Sequence, residues 1–277
     1  MNKAPCGGQL RTPTSQPAPP RISIKEAFAN KKAFIAFITG GDPDIETTEK
    51  LIPALEFAGA DIIEIGIPFS DPIAEGLVIQ KASERALAAG CTVDKLFAMV
   101  ARLRQKVKIP IIFMTYANPI FAYGAECFMA NCAASGIDGI IVPDLPFEEK
   151  NELSQECKNH GIAQISMIAP TSLDRIKTIA KEAEGFLYCV SSLGVTGIRA
   201  EISTNLAEMI SQARSASDVP CAIGFGISNP KQAREMANLA DGAIIGSAIV
   251  KLIAEHGREC IPHVTTFAKN VAAEMKN

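Results

Sequence analysis

The stretch DIIEIGIPFSDPIAEGLVIQ, Asp61 to Gln80, decides the fold of this 277-residue chain. Its first six residues have the pattern of a buried strand, with Ile62, Glu64 and Gly66 on one face and Ile63 and Ile65 on the other. A carboxylate therefore points inward. Burying an ionised group without a partner costs several kcal/mol, so such a residue is either paired or stands at the mouth of a site. The Pro-, Asp- and Gly-containing residues that follow read as a loop, and helical periodicity starts at Leu77.

The same unit of strand, loop and helix recurs on both sides of this stretch. Apolar or β-branched runs fall at residues 33–38, 61–66, 111–115, 138–142, 163–168, 186–190, 220–225 and 241–245. Each is followed by a Gly/Pro/Asp loop and an amphipathic segment. Eight strands alternating with helices imply parallel βαβ units, and within one domain of this length they imply a closed (β/α)₈ TIM barrel. The gap between the second and third runs is nearly twice the others, because both Leu77 to Ala89 and Val93 to Gln105 have helical periodicity. An extra helix is expected there.

Composition narrows the function classes. Net charge is only −3 and no Lys/Arg cluster reaches the density of a nucleic-acid patch, so neither nucleic acid nor membrane is an expected partner. No apolar run approaches the length of a membrane span. The eight cysteines show no C-x-x-C pair and no neighbouring His in ligand spacing, and all read as buried thiols in a reducing cytoplasm. Residues 1–20, rich in Pro, Ser, Thr and Gly and without acids or an apolar core, read as a flexible tail. The alternative is a short organelle-targeting remnant. Residues 21–277 are expected to form the barrel domain.

In such barrels the site lies in the loops at the carboxyl ends of the strands. Here these loops hold TGGDP (39–43), Pro68 to Gly76, PDLP (143–146), SSLGVTG (191–197), Gly226-Ile227-Ser228 and Gly246-Ser247. Gly197, Gly226 and Gly246 converge on one corner. Glycine lets backbone N–H groups approach an anion, and a following helix N-terminus adds positive potential, so this corner reads as a phosphate site. The bland alternative is that these glycines only make tight turns. Gly224-Phe225-Gly226 begins like a dinucleotide fingerprint, but Asn229 stands where the third glycine belongs.

No strand core contains Lys or Arg, which argues against a Schiff-base mechanism and leaves Glu64 without a basic partner in the barrel wall. Among Ile62, Phe37 and Tyr116, desolvation should raise its pKa, which suits an acid that must then serve as a base. Glu75, in a loop stiffened by Pro68 and Pro72, offers a second carboxylate over the barrel mouth, with Asp71 a competitor as a cap. Tyr188 reads equally as core packing or substrate contact. Asp42 and Asp144 read as turn braces. The three histidines, at helix ends or in the last helical region, make a catalytic triad or zinc site improbable, and no G-x-S-x-G, H-E-x-x-H or Walker A motif occurs.

EIGIPFSDPIAEG, YCVSSLGVTG, GFGIS and GSAIVK, in that order, resemble the tryptophan synthase alpha chain family, and the likeness runs from about Ile24 to the end. The resemblance implies retro-aldol cleavage of indole-3-glycerol phosphate to indole and glyceraldehyde 3-phosphate, with no cofactor of the chain's own. It places the proton shuttle on Glu64 and the contact to the indole N–H on Glu75. It places the indole wall on Phe37, Tyr116, Ile141, Tyr188 and Ile244, loop closure on Thr196, and the phosphate on Gly197, Gly226, Gly246 and Ser247. It also implies an α₂β₂ complex whose beta chain carries pyridoxal phosphate.

Two positions depart from the family pattern: Glu75 where many members have Asp, and Leu77 where they have Pro. A longer carboxylate arm and a less restricted loop bear on rate and on coupling to a partner. A stand-alone lyase and a non-catalytic activating subunit are the alternative readings, and intact Glu64, Glu75 and Thr196 speak against the second. The related synthase barrel that makes indole-glycerol phosphate would need a strand lysine that is absent.

Overall fold

The computed structural model describes residues 20–170, 173–190, 199–224 and 226–276. The order is α1 (Ile24–Ala27), β1 (Ala33–Thr39), α2 (Ile45–Ala58), β2 (Ile62–Gly66), α3 (Leu77–Ala88), α4 (Val93–Leu103) and β3 (Ile111–Met114). There follow α5 (Ala117–Tyr123), α6 (Ala125–Ser135), β4 (Gly139–Ile141), α7 (Asn151–His160), β5 (Ala163–Gln164) and β6 (Ser166–Ile168). The chain ends with α8 (Leu173–Lys181), β7 (Leu187–Val190), α9 (Arg199–Arg214), β8 (Cys221–Gly224), α10 (Pro230–Leu239), β9 (Gly242–Ile245), α11 (Ser247–His256) and α12 (Cys260–Lys276).

The strands form one parallel sheet in the order β5-β4-β3-β2-β1-β9-β8-β7-β6. Its two edges, β5 and β6, are consecutive in the chain and joined through Ile165, so the sheet curls into a nearly closed TIM barrel. The fifth expected strand is thus two segments, and the eight expected strands are nine among the described residues. The extra helix is present: α3 and α4 both lie between β2 and β3.

Alternation along the strands separates two cores. Ile35, Phe37, Ile62, Ile112, Ile141 and Ile244 fill the barrel interior. Their neighbours Ala36, Ile38, Ile63 and Ile65 face outward and pack on helix residues such as Leu51, Leu55, Phe97 and Val100. In α4 the apolar face Leu96, Phe97, Val100 and Leu103 is buried at helical spacing, and Thr92 caps its start by accepting the Lys95 N–H.

Three aspartates, each directly before a strand, hold the opposite end of the barrel. Asp61 accepts the N–H of Phe34, Asp138 that of Ile111 and Asp241 that of Cys221, each at 2.9 Å. Each joins the start of its own strand to the strand beside it. Asp138 also pairs with the buried Arg104, whose other nitrogens donate to Gly136 O and Ile109 O, both at 2.7 Å.

Six cysteines (91, 132, 157, 189, 221 and 260) are buried free thiols. Cys127 is disulfide-bonded, which corrects the reading of all eight as thiols. Cys6 and the rest of residues 1–19 lie outside the described residues. No helix among the described residues is long and apolar enough to cross a membrane.

Candidate active site

Glu64 sits in the middle of β2, in register with Phe37 on β1 and Ile112 on β3. Alternation turns it into the barrel, where it is 1% exposed. Neither carboxylate oxygen has a hydrogen-bond partner among the described residues. Burial pushes its pKa up to about 8, so the carboxyl holds its proton at neutral pH. The hydroxyls of Thr39 and Thr115 are likewise buried and unpartnered among the described residues. Tyr188, on β7, has its phenol pushed well up by burial and then by the nearby Glu64.

Glu64 lies in the wall of a cavity of about 270 Å³ at the carboxyl ends of the strands. Phe37, Glu75, Tyr188, Gly226, Ile244, Gly246 and Ser247, all expected at the site, line it as well. Two expected wall residues stand elsewhere. Ile141 is in the closed interior core, and Tyr116 holds the loop over the cavity instead of lining it. Thr196 and Gly197 lie outside the described residues.

Tyr116 precedes α5. Its hydroxyl is hydrogen-bonded to the Glu75 carboxylate and accepts the N–H groups of Ile73 at 3.0 Å and Ala74 at 2.8 Å. Burial, reinforced by Glu75, pushes this phenol up to about 12, so it stays protonated. The Gln80 side chain donates to the Glu75 carbonyl at 2.8 Å, and the Phe69 ring lies 5.3 Å from that of Tyr116. The loop is thereby folded back with its carboxylate toward the cavity.

At the glycine corner, Gly226 has φ +76°, a conformation that side chains with a Cβ rarely adopt. The N-terminus of α10 is occupied by its own cap, because Asn229 accepts the Gln232 N–H at 3.0 Å. That of α11 differs: Gly246 at its start supplies no side-chain cap, so first-turn N–H groups are left to face a ligand. A Cβ at Gly246 would lie 3.0 Å from the Phe37 ring, which explains the glycine there.

Asp42 does more than brace a turn. Its buried carboxylate receives both Nε and Nη2 of Arg85 at 2.8 Å, tying the loop after β1 to α3. Burial outweighs the arginine and raises its pKa. Asp144 is a brace, accepting the Ala117 N–H at 2.9 Å, and Asp71 accepts the Ser70 hydroxyl at 2.5 Å. His160 lies against Glu126 and His256 stacks on His263, away from the cavity. No cluster of three or more metal-ligating side chains occurs among the described residues.

Sequence reasoning missed Ile79, Met114, Pro143, Met167 and Val190 in the cavity wall. A methionine in a strand has the sequence signature of core packing, and only the direction of the strand end shows that it meets a void.

A family profile described as tryptophan synthase alpha chain matches residues 24–277. The tryptophan synthase alpha chain of Alkaliphilus metalliredigens (strain QYMF) is 48% identical over 251 residues, covering 90% of this chain and 94% of its own length. That of Shouchella clausii (strain KSM-K16) is 50% identical over 83% of this chain and 86% of its own. Among solved structures, tryptophan synthase subunit alpha from Legionella pneumophila str. Paris superposes with a TM-score of 0.83 at 35% identity, covering 91% of this chain and 97% of that one. Tryptophan synthase from M. tuberculosis, in an open form with BRD0059 bound, gives 0.83 at 29% identity over 93% of this chain and 100% of that one.

Proposed function

This chain belongs to the tryptophan synthase alpha chain family, and from that premise we propose how its own residues perform the family's cleavage. It is a carbon–carbon lyase that splits indole-3-glycerol phosphate into indole and glyceraldehyde 3-phosphate. The observation that carries the mechanism is a Glu64 carboxyl at the wall of the cavity with neither oxygen partnered among the described residues, its pKa pushed up to about 8 by burial.

Glu64 starts protonated. It gives its proton to C3 of the indole, and the ring answers by shifting the C2=C3 electrons, leaving a C2=N iminium. Glu75, held by Tyr116, accepts a hydrogen bond from the ring N–H and stabilises that charge. The Glu64 carboxylate, now unstable in its apolar surroundings, takes the proton from the glycerol hydroxyl next to C3. The C–C bond breaks as the C=O forms, its electrons restore the indole, and Glu64 is again protonated. Phe37, Tyr188 and Ile244 pack on the ring, with Ile141 and Tyr116 supporting them. Gly226, Gly246, Ser247 and Gly197 take the phosphate, and Thr196 closes the loop.

No cofactor is needed for this step. Residues 21–277 act as one catalytic barrel in the cytoplasm. The partner is a beta chain, in an α₂β₂ complex, that carries the pyridoxal phosphate and consumes indole. Ile73 on the site's own loop and Leu77 at the start of α3, 80% and 72% exposed, with Phe121 on α5, present the apolar surface such a partner covers.

The test is indole released from indole-3-glycerol phosphate by wild type and Glu64→Gln, each alone and with a beta chain. Loss of the acid–base group should cost ~10²–10⁴-fold. A Gln variant that keeps more than about a tenth of the rate defeats the assignment. Release unaffected by a beta chain points to a stand-alone lyase, and no release under any condition to an activating subunit.

A further inference from the structure

The barrel wall has a seam. β5 pairs with β4 through Gly139↔Ala163 and Ile140↔Gln164, and Ile165 N–H adds one bond to Ile140 O at 2.9 Å. β6 pairs only with β7, through Ser166↔Leu187, Met167↔Tyr188 and Ile168↔Cys189. Beyond Ile165 no backbone hydrogen bond among the described residues joins the two sides. The wall therefore parts at its carboxyl end, between Val142-Pro143 and residues 166–169.

A second cavity, of about 250 Å³, occupies that parting, with Phe147 and Ile179 among its walls. Among the described residues it shares two lining residues with the 270 Å³ cavity of Glu64: Pro143 and Met167. Proline is rigid, whereas the methionine side chain is an unbranched, adaptable filler. Along β5 and β6 the alternation is plain. Ile165 belongs to the interior core, Gln164 turns outward to accept the Ser154 hydroxyl at 2.8 Å, and Met167 turns back inward against the interior core. Met167 remains only half-buried because it has empty volume beside it.

We infer that Met167 is a specificity-determining partition: its side chain closes the seam and limits the size of the aromatic ring that the site accepts. The inference rests on the lyase reading above. With the thioether removed, the two cavities merge, and a substituent on the benzene part of the indole gains a place to lie. The outer cavity suits an apolar group. Its cations, Lys150 and Arg175, are already paired with Glu182 and Glu148, while Phe147, Ile168 and Ile179 supply apolar surface. One methylene in a hydrophobic pocket is worth about 10–200-fold in discrimination, which sets the size of the effect.

The test compares wild type, Met167→Ala, Met167→Val, Met167→Leu and the double variant Met167→Ala/Ala169→Leu, which refills the outer cavity from its own wall. Calorimetry gives the affinity of each for indole and for indoles methylated in turn at each benzene-ring carbon. Indole release gives kcat/KM for the corresponding glycerol phosphates. In Met167→Ala at least one methylated ring should gain about tenfold or more relative to indole. Met167→Val should gain less, Met167→Leu should keep the wild-type ratio, and the double variant should lose the gain. Wild-type ratios at every ring position in both Met167→Ala and Met167→Val, or a gain that survives refilling, overturn the partition. Wild type that binds indole but releases none from the glycerol phosphate defeats the lyase reading alone, since the binding ratios still decide the role of Met167. Indole binding by no variant overturns both.

Discussion

The Tyr116 hydroxyl is bonded to the Glu75 carboxylate and to two N–H groups of the same loop, 41 residues away in sequence from that carboxylate. One phenol on the barrel thus sets where the second carboxylate stands. Tyr116→Phe keeps the ring and removes these bonds, each worth ~1 kcal/mol. The variant should lose about ten- to a hundredfold in kcat/KM, with little change in Tm, because the loop lies outside the core. Wild-type kcat/KM in this variant would show that Glu75 needs no anchor.

Leu77 occupies the first position of α3, after Gly76, and is 72% exposed in the isolated chain. First-turn N–H groups lack helix partners, so proline fits there without losing a bond. Leu77→Pro should stabilise the loop by ~0.4–1 kcal/mol and raise the rate of the isolated chain a few-fold if closure limits it. A beta chain that already orders the loop should erase the gain. Rates alone and in complex check this, and a larger gain in the complex would contradict it.

Glu64 holds its proton in the folded chain after the unfolded chain has lost it. Its contribution is therefore fully present below about 4.5, the value of an unperturbed glutamate, and falls as pH rises toward about 8. Glu64→Gln removes this dependence. Its stability relative to wild type should climb across that window, by on the order of a few kcal/mol, and level off above it. Urea unfolding of both proteins across the window measures the difference directly. A constant difference would mean that Glu64 is ionised in the folded state.

Asp138 faces Arg104, whose guanidinium is buried and has its pKa pulled down to about 10, chiefly by desolvation and despite Asp138. Asp138→Ala strands that charge and frees the Ile111 N–H, so it should cost ~3–5 kcal/mol in urea unfolding. Asp61→Ala, whose partner Lys31 is 43% exposed, should cost clearly less. Equal losses would mean that the shared backbone bond, not the buried arginine, dominates.

Gly226→Val should weaken binding of glycerol phosphate far more than binding of indole, because bulk at this turn shields the N–H groups from an anion. The strain of placing valine at φ +76° is common to both ligands and cancels in the ratio of their affinities. Titration with each ligand reads that ratio, and an equal loss of both would mean a general disturbance of the barrel.

The barrel itself was written locally. Each strand announces itself by alternation and each helix by its own period, so the eightfold recurrence, the extra helix before β3 and the inward Glu64 follow from neighbours in sequence. The glycine corner was legible for the same reason, since a glycine before a helix acts through its own backbone. What only the tertiary structure decided are relations between distant segments: Tyr116 holding Glu75, Arg85 on Asp42, and Met167 standing between two cavities. The break at Ile165 belongs with them. Nothing in AQISMI distinguishes it from an unbroken strand, because the break comes from β5 and β6 pairing with different neighbours. Hydrogen bonds and voids depend on which surfaces meet when the barrel closes, and closure is a property of the whole sheet, absent from any one stretch of the chain.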